Sequence, residues 1–329
     1  MAIIRTVKGD IDSEEVGITL CHEHLRIELK KIFQEPEDRK NFEKAYSHVT
    51  LENLGWVRAN YVNNLDNLGL YEEQLVVDEV SLFKEAGGST LVEVTPVDIG
   101  RNPDSLLRIA DATGLNIVMG SGDYVFGTHP ADLKLRSEES LAEEMTNDIV
   151  QGVGDTGIKS GIIGEIGCSW PLHEDERKVL SAAARAQKET NCALTIHPGR
   201  DPQAPFEILE VIDKAGKNNV GVVIDFWHLW AGGQTTPKDV SDLDSNIITG
   251  VHFCDGVRKD NITGEDEGEL RSYLPGDCDV DVQELTDAVK STGYNGSWSA
   301  ETYSPIHWEM DLYESVSYTH LTLPTNREV

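Results

Sequence analysis

Residues 18–25 read ITLCHEHL, an apolar and β-branched run that ends in two histidines one residue apart. Such a run predicts a buried strand. Side chains two residues apart on a strand point to the same face, so His22 and His24 can reach one point in space while Glu23 points away. Two imidazoles at the end of an inner strand suit a divalent metal of the zinc type. Two core histidines with backbone partners explain this stretch, taken alone, about equally well.

On either side of this stretch the chain alternates apolar runs with segments of helical periodicity. Further strands are predicted at 89–95, 116–120, 161–166, 192–197, 220–226, 247–253 and 296–302, and helices at 71–86, 104–113, 138–153, 174–190, 205–215 and 280–291. Eight nearly continuous apolar strands alternating with helices indicate an α/β fold, a parallel sheet closed into a TIM (β/α)8 barrel. A doubly wound open sheet is the alternative, but no G-x-G-x-x-G phosphate loop follows an early strand.

Composition narrows the functional classes. The 329 residues carry 28 Lys and Arg against 58 Asp and Glu, a formal net charge of −30. Nucleic-acid and membrane partners are not expected. Nucleic acids and anionic membrane surfaces need a basic face, and a membrane span needs a long apolar segment. The five scattered cysteines predict reduced thiols rather than a disulfide framework. Without an evident signal peptide, a cytoplasmic location is expected, and a homo-oligomer is left open.

In a barrel of this kind the chemistry lies at the carboxyl ends of the strands. Polar residues stand at the ends of all eight predicted strands: His22 and His24, Glu93 and Thr95, Asp123, Glu165, His197, Asp225, His252 and Glu301. Buried carboxylates are costly unless they are paired or bound to a metal. A metal site therefore explains this set better than chance does. The loop histidines His129, His173 and His307 are expected to be solvated.

Three long motifs carry a family resemblance over residues 3–215: TLCHEHL at 19–25, IKSGIIGEIGCSWPL at 158–172 and IHPGR at 196–200. This part resembles the phosphotriesterase-related proteins, a branch of the amidohydrolase superfamily. The resemblance implies that His22 and His24 bind one metal, that Glu165 bridges two metals, and that His197 binds the second. It implies two zinc ions, with manganese or cobalt as alternatives. A hydroxide held between them would attack a small-molecule ester, lactone or amide. Arg200 or Arg101 is the expected contact for an anionic group of the substrate.

Beyond residue 216 the chain departs from that family, which next expects a histidine on strand six and an aspartate on strand eight. Residues 218–316 resemble the C-terminal part of the sugar-phosphate isomerase/epimerase family, on the segments NVGVVIDFWHLW at 219–230, VHFCD at 251–255, RSYLPGD at 271–277, GYNG at 293–296 and SAE at 299–301. This resemblance implies a single metal held by Asp225, His252 and Glu301. It implies that His228 and Arg271 contact the substrate, and His197 replaces the glutamate that the family has on strand five.

The two resemblances predict a division of the barrel. Residues 1–216 would supply strands 1–5 from the phosphotriesterase type, and 217–316 would supply strands 6–8 from the isomerase type. Residues 317–329, SYTHLTLPTNREV, resemble a translated sequencing adapter and are expected to be a non-native or disordered tail. The main functional prediction is a metal-dependent hydrolase of small esters or amides, in which Asp225 and Glu301 replace the missing ligands and join Glu165 in catalysis. The alternatives are a single-metal sugar isomerase or epimerase and an inactive chimeric barrel produced by sequence assembly.

Overall fold

The computed structural model describes residues 3–300, apart from 200, 202, 216–220, 234, 260–269 and 272–277. Arg200, Glu301 and the segment 317–329 therefore lie outside the described residues. The chain forms two compact units, Met1–Lys217 and Asn218–Val329.

The first unit begins with elements that the apolar pattern did not predict. Strands β1 (Ile3–Thr6) and β2 (Gly9–Asp12) form an antiparallel hairpin, which Val7 joins to the sheet through a hydrogen bond from its N–H to the Ile117 carbonyl. Further along, the two-residue strands β4 (Ile27–Glu28) and β5 (Gly69–Leu70) pair with each other. Two short helices, α1 (Phe42–Tyr46) and α2 (Leu54–Ala59), lie between β4 and β5 in the sequence.

Five strands of this unit form two parallel sheets, one of three strands and one of two: β3 (Ile18–Glu23), β6 (Gly88–Glu93) and β7 (Asn116–Met119), and β8 (Ile162–Gly167) and β9 (Ala193–His197). β3 pairs with β6, β6 with β7, and β8 with β9. Backbone hydrogen bonds from Gly161 to Met119 and from Gly164 to Ser121 join β8 to the end of β7. The spatial order of the strands therefore follows the chain, as a parallel barrel sheet requires.

Strand β3 is less buried than its sequence predicts. Ile18 is 36 % exposed, and Cys21 and His22 are exposed as well. The prediction of a buried strand was wrong because β3 is an outer strand of the three-stranded sheet β3-β6-β7, in which it pairs with β6. An edge strand can carry the same apolar residues as an inner one.

Helices alternate with these strands: α3 (Glu73–Glu85), α4 (Pro103–Thr113), α5 (Glu138–Val150), α6 (Glu174–Thr190) and α7 (Ala204–Lys214). Their ends follow from local chemistry. The Asn102 side chain accepts a hydrogen bond from the Ser105 N–H at the start of α4, and Gly114, with φ +68°, ends that helix in the left-handed region. Buried alanines on α6, among them Ala182 and Ala183, allow it to pack closely against α5.

The second unit contains three more parallel strands in chain order, β10 (Val222–Asp225), β11 (Ile248–Phe253) and β12 (Trp298–Ala300). Its helices are α8 (Phe226–Gly232), α9 (Pro237–Ser241) and α10 (Val282–Ser291). Its core is built from buried side chains such as Phe226, Phe253 and Val289. The described parts of the two units thus contain the eight parallel strands that the sequence predicts. Within the same residues, no helix combines the length and apolar character needed to cross a membrane.

Candidate metal centre

Three predicted site residues converge at the carboxyl ends of β3 and β8. His22 Nε2 lies 3.3 Å from Glu165 Oε2, and His24 Nε2 lies 3.2 Å from Glu165 Oε1. One ligand atom from each of the three side chains lies within 4.8 Å of the other two, close enough to share one metal ion. Among the residues that the structure describes, no other group of three or more His, Cys, Asp or Glu side chains has such spacing.

His197, at the end of β9, contacts the same carboxylate. Its Nδ1 lies 3.1 Å from Glu165 Oε2, the oxygen that also faces His22. Its Nε2 lies 3.3 Å from the hydroxyl of Tyr124. The sequence analysis missed Tyr124, which follows β7 in a loop without a motif of its own. Only its place one residue after Asp123 at a strand end could have pointed to it.

The charge state of Glu165 suits a cation. Burial raises the pKa of this carboxyl, whose side chain is only 2 % exposed, but hydrogen bonds from His197, His22 and His24 lower it well below its ordinary value. Glu165 is therefore an anion at neutral pH. Imidazole nitrogens around a carboxylate form a donor set that zinc and similar divalent ions accept. The residues present thus fit a divalent metal.

His24 also contacts Thr95, which in turn contacts Glu93. Its Nδ1 lies 2.9 Å from the Thr95 hydroxyl, which donates to Glu93 Oε1 at 2.5 Å. Thr95 and Glu93 are both completely buried. Burial raises the pKa of Glu93 to about 7, and its Oε2 makes no hydrogen bond to the described residues.

The loops after β7 and β8 are tied together by Glu176, a buried residue in the first turn of α6. Its carboxylate accepts hydrogen bonds from the backbone N–H groups of Phe126, Ser169 and His173 and from the Ser169 hydroxyl. The local sequence explains this position, because His173 and Glu176 form a capping box at the start of α6. Glu176 therefore holds the two loops that follow Tyr124 and Glu165 in the chain.

Two of the loop histidines make local contacts and are not in the group that could share a metal. His173 accepts a hydrogen bond from the Asp175 N–H and stacks on the Phe126 ring at 3.6 Å between centroids, while its side chain stays 39 % exposed. His129 Nε2 lies 2.8 Å from the Tyr124 carbonyl oxygen. A helix cap and a loop contact, neither visible as a motif, thus use these partly exposed rings. His307 lies outside the described residues.

Arg101 was predicted to contact an anionic group of the substrate, but it is held in a buried ion pair. Its Nη1 donates to Asp148 Oδ2 at 2.7 Å and to the Gly120 carbonyl at 3.1 Å. Both side chains of this ion pair are almost fully buried. A buried aspartate on α5 thus occupies the guanidinium. Arg200, the other residue expected to hold an anionic group, lies outside the described residues.

The second unit brings together four of its predicted site residues. Asp225 Oδ1 accepts the His228 N–H at the start of α8, and Asp225 Oδ2 lies 2.5 Å from Arg271 Nη2 and 3.5 Å from His252 Nδ1. Arg271 Nη1 lies 3.4 Å from His228 Nε2. Burial raises the pKa of Asp225, but His252 and the charge of Arg271 bring it below its ordinary value. Glu301, the third predicted ligand here, lies outside the described residues.

Residues 2–231 match the family model of the phosphotriesterase family. This chain belongs to the phosphotriesterase family. It is 41 % identical over 214 residues to N-acetyltaurine hydrolase of Xenopus tropicalis, covering 65 % of this chain and 61 % of that protein. It is 41 % identical over 215 residues to a phosphotriesterase-related protein of Nematostella vectensis, covering 64 % and 61 %. The matches thus span about three fifths of the length of these curated relatives.

Solved structures confirm the fold. A resiniferatoxin-binding protein from Rhodobacter sphaeroides aligns with a TM-score of 0.72 at 27 % identity, over 92 % of this chain and 81 % of that chain. The phosphotriesterase homology protein of Escherichia coli aligns with a TM-score of 0.59 at 23 % identity, over 90 % and 85 %. The α/β TIM-barrel prediction and the phosphotriesterase-type resemblance are confirmed. The isomerase-like origin of residues 217–316 and the adapter-like tail stay predictions.

Proposed function

We propose that this protein is a metal-dependent hydrolase that cleaves a small amide or ester with water as the nucleophile. One observation carries the proposal: His22, His24 and His197 all contact the buried anionic Glu165. Three imidazoles around one carboxylate form a poor structural core but a good cation site, because a buried charge needs a partner.

In this proposal His22, His24 and Glu165 hold one divalent ion, and Glu165 and His197 hold a second. Zinc is the first candidate, with manganese or cobalt as alternatives. Such ions, bound there, would supply Lewis acidity and lower the pKa of the attacking water. The chain's own contribution is to hold Glu165 as an anion between the histidines. Hydrolysis forms a bond between the water oxygen and the acyl carbon and breaks the C–N bond of the amide or the C–O bond of the ester. One proton of the water goes to the leaving amine or alcohol, and the other leaves with the carboxylic acid. The catalytic roles of Asp225 and Glu301 stay predictions.

The names of the relatives favour an amide as the substrate. Several curated relatives are named N-acetyltaurine hydrolase, including the human protein, which is 40 % identical over 216 residues. Because the matches span only about three fifths of those proteins, we propose the bond type, an amide of a small acid, rather than the same substrate.

Zinc content and turnover test this proposal together. Purified full-length protein is loaded with Zn²⁺, Mn²⁺ or Co²⁺, and release of amine from N-acetyltaurine and of alcohol from a small acetate ester is measured. Glu165→Gln should lose bound metal and turnover. His173→Asn, which changes a histidine that caps α6, is the matched control and should keep both. Unchanged metal content and turnover in Glu165→Gln would exclude the proposed site.

The isomerase prediction requires a different set of residues. It needs Asp225, His252 and Glu301 as ligands of one metal, with His228 and Arg271 on the substrate. Aldose–ketose interconversion that survives His22→Asn combined with His24→Asn would favour it over the hydrolase. Protein that binds no divalent metal and turns over neither substrate class would favour the inactive chimera.

A further inference from the structure

We propose that Thr95 and Glu93 are positioning residues that fix the ring of His24 with its Nε2 lone pair available to the metal. The inference rests on the proposed metal site and adds two residues to it. Both lie on or just after β6, the strand next to β3, so the sheet itself sets their distance from His24.

The direction of the hydrogen bonds follows from proton counting. A threonine hydroxyl has one proton to donate. While Glu93 is a carboxylate, Thr95 donates that proton to its Oε1, so toward His24 the Thr95 oxygen accepts. His24 Nδ1, 2.9 Å away, must then carry the donated proton.

This assignment determines what the other ring nitrogen can do. Without a metal, His24 Nε2 hydrogen-bonds to Glu165. Once a metal takes the place of that proton, a neutral imidazole that keeps its proton on Nδ1 offers the metal the lone pair of Nε2. Nε2 is the His24 atom that lies 3.2 Å from Glu165 Oε1, in the group that could share a metal. Metal-binding histidines are commonly oriented in this way by a partner on their second nitrogen. Here a hydroxyl transmits the orientation from a carboxylate behind it.

Burial of Glu93 is only partly compensated: backbone hydrogen bonds from Thr95, Arg26 and Leu25 lower its pKa, but burial raises it more. Glu93 is completely buried, and its Oε2 makes no hydrogen bond to the described residues. A buried acid of this kind costs free energy that a glutamine or an apolar residue would avoid. Orienting Thr95, and through it His24, accounts for its presence.

Zinc affinity of the metal-free, full-length protein tests the inference, measured by competition with a chromophoric chelator. Thr95→Val removes the hydroxyl and keeps the shape, whereas Thr95→Ser keeps the hydroxyl. Thr90→Val is the matched control, because Thr90 is a buried threonine on the same strand whose hydroxyl donates to Val16. We expect Thr95→Val and Glu93→Met, which removes the acceptor of the Thr95 hydroxyl, to weaken zinc binding about 10–100-fold, the usual effect of losing such a partner. Thr95→Ser and Thr90→Val should stay near the parent affinity.

A second measurement reports on the Nδ1 proton of His24 without metal. Long-range ¹H–¹⁵N spectra of the histidine rings, recorded above pH 7 so that Glu93 is ionised, should show a proton on His24 Nδ1 in the parent, and Thr95→Val should lower its occupancy. Equal zinc affinities of Thr95→Val and Thr90→Val, or an unprotonated Nδ1 in the parent, would overturn the inference. A parent that binds no zinc would instead contradict the proposed function, and the Nδ1 spectra would still decide the positioning role. If Thr95→Val does not fold, Glu93→Met, which removes the acceptor of the Thr95 hydroxyl, takes its place in both measurements.

Discussion

Arg101 and Asp148 form a 2.7 Å ion pair in which the two side chains are 3 % and 7 % exposed. Asp148 lies on α5, and its Oδ2 also accepts a hydrogen bond from the Ser121 hydroxyl, while Arg101 donates to the Gly120 carbonyl. The pair therefore joins a helix to the end of β7. Its place in the fold makes Arg101 a structural residue rather than a substrate contact.

Removing Arg101 should strongly destabilise the protein. Arg101→Met leaves Asp148 buried without its cation, and breaking a buried pair in this way typically costs about 3–5 kcal/mol. Arg108→Met is the control, because Arg108 forms a much more exposed pair with Glu73, and its loss should lower the free energy of unfolding far less. Urea unfolding gives both values, and similar losses in the two variants would contradict a structural role for Arg101.

Asp123 should make stability fall as the pH rises toward neutral. It is nearly buried, its Oδ1 makes no hydrogen bond to the described residues, and burial, followed by repulsion from Asp98, raises its pKa to about 7. Between about pH 4 and pH 7 the unfolded state therefore releases a proton that the folded state keeps. The free energy of unfolding falls across this range as the pH rises.

Asp123→Asn removes that titration. Relative to the parent, its free energy of unfolding should be highest above pH 7, with an advantage of about 1–4 kcal/mol, and the advantage should shrink toward pH 4. Urea unfolding across this range measures the difference. Asp132→Asn, at an exposed position, is the control. An advantage that does not change with pH would argue against the raised pKa.

Gly167→Ala should damage the candidate metal centre without changing a ligand. A Cβ at Gly167 would lie 2.3 Å from the backbone of Tyr124 and Val125, so it would displace the residue whose hydroxyl contacts His197. We expect a loss of about 1–3 kcal/mol in stability and weaker zinc binding. Gly55→Ala, with open space around its Cβ position, should leave zinc binding unchanged. Zinc titration and urea unfolding of both variants check this, and parent-like zinc binding by Gly167→Ala would count against it.

Asp225→Asn distinguishes an ion pair from a metal ligand. Arg271, nearly buried, already contacts Asp225 Oδ2 at 2.5 Å, so a cation competes with any metal there. We expect Asp225→Asn to cost about 3–5 kcal/mol of stability, because it breaks the buried ion pair with Arg271, and to leave the number of bound zinc ions unchanged. Loss of a zinc ion in this variant, measured by elemental analysis, would support the ligand role that the sequence predicts for Asp225.

The sequence predicted those features that depend on spacing along one strand. Apolar runs located the eight parallel strands, and the two-residue period of a strand correctly placed His22 and His24 on one face, where both reach Glu165. It could not predict the β1–β2 hairpin, because Gly9–Asp12 has no apolar alternation and is held by pairing with β1. The contacts of Tyr124 and the burial of Arg101 depend on residues from other elements, which a pattern along the chain does not show.

The shared carboxylate of Glu176 has a consequence for motion around the candidate centre. The loop after β7 hydrogen-bonds to Glu176 Oε1 and the loop after β8 to Glu176 Oε2, so a movement of this one side chain would release both loops. Amide hydrogens at Phe126, Ser169 and His173 should therefore exchange with solvent together, at the rate of one opening event. The loops after β7 and β8 would then open in one cooperative step rather than independently.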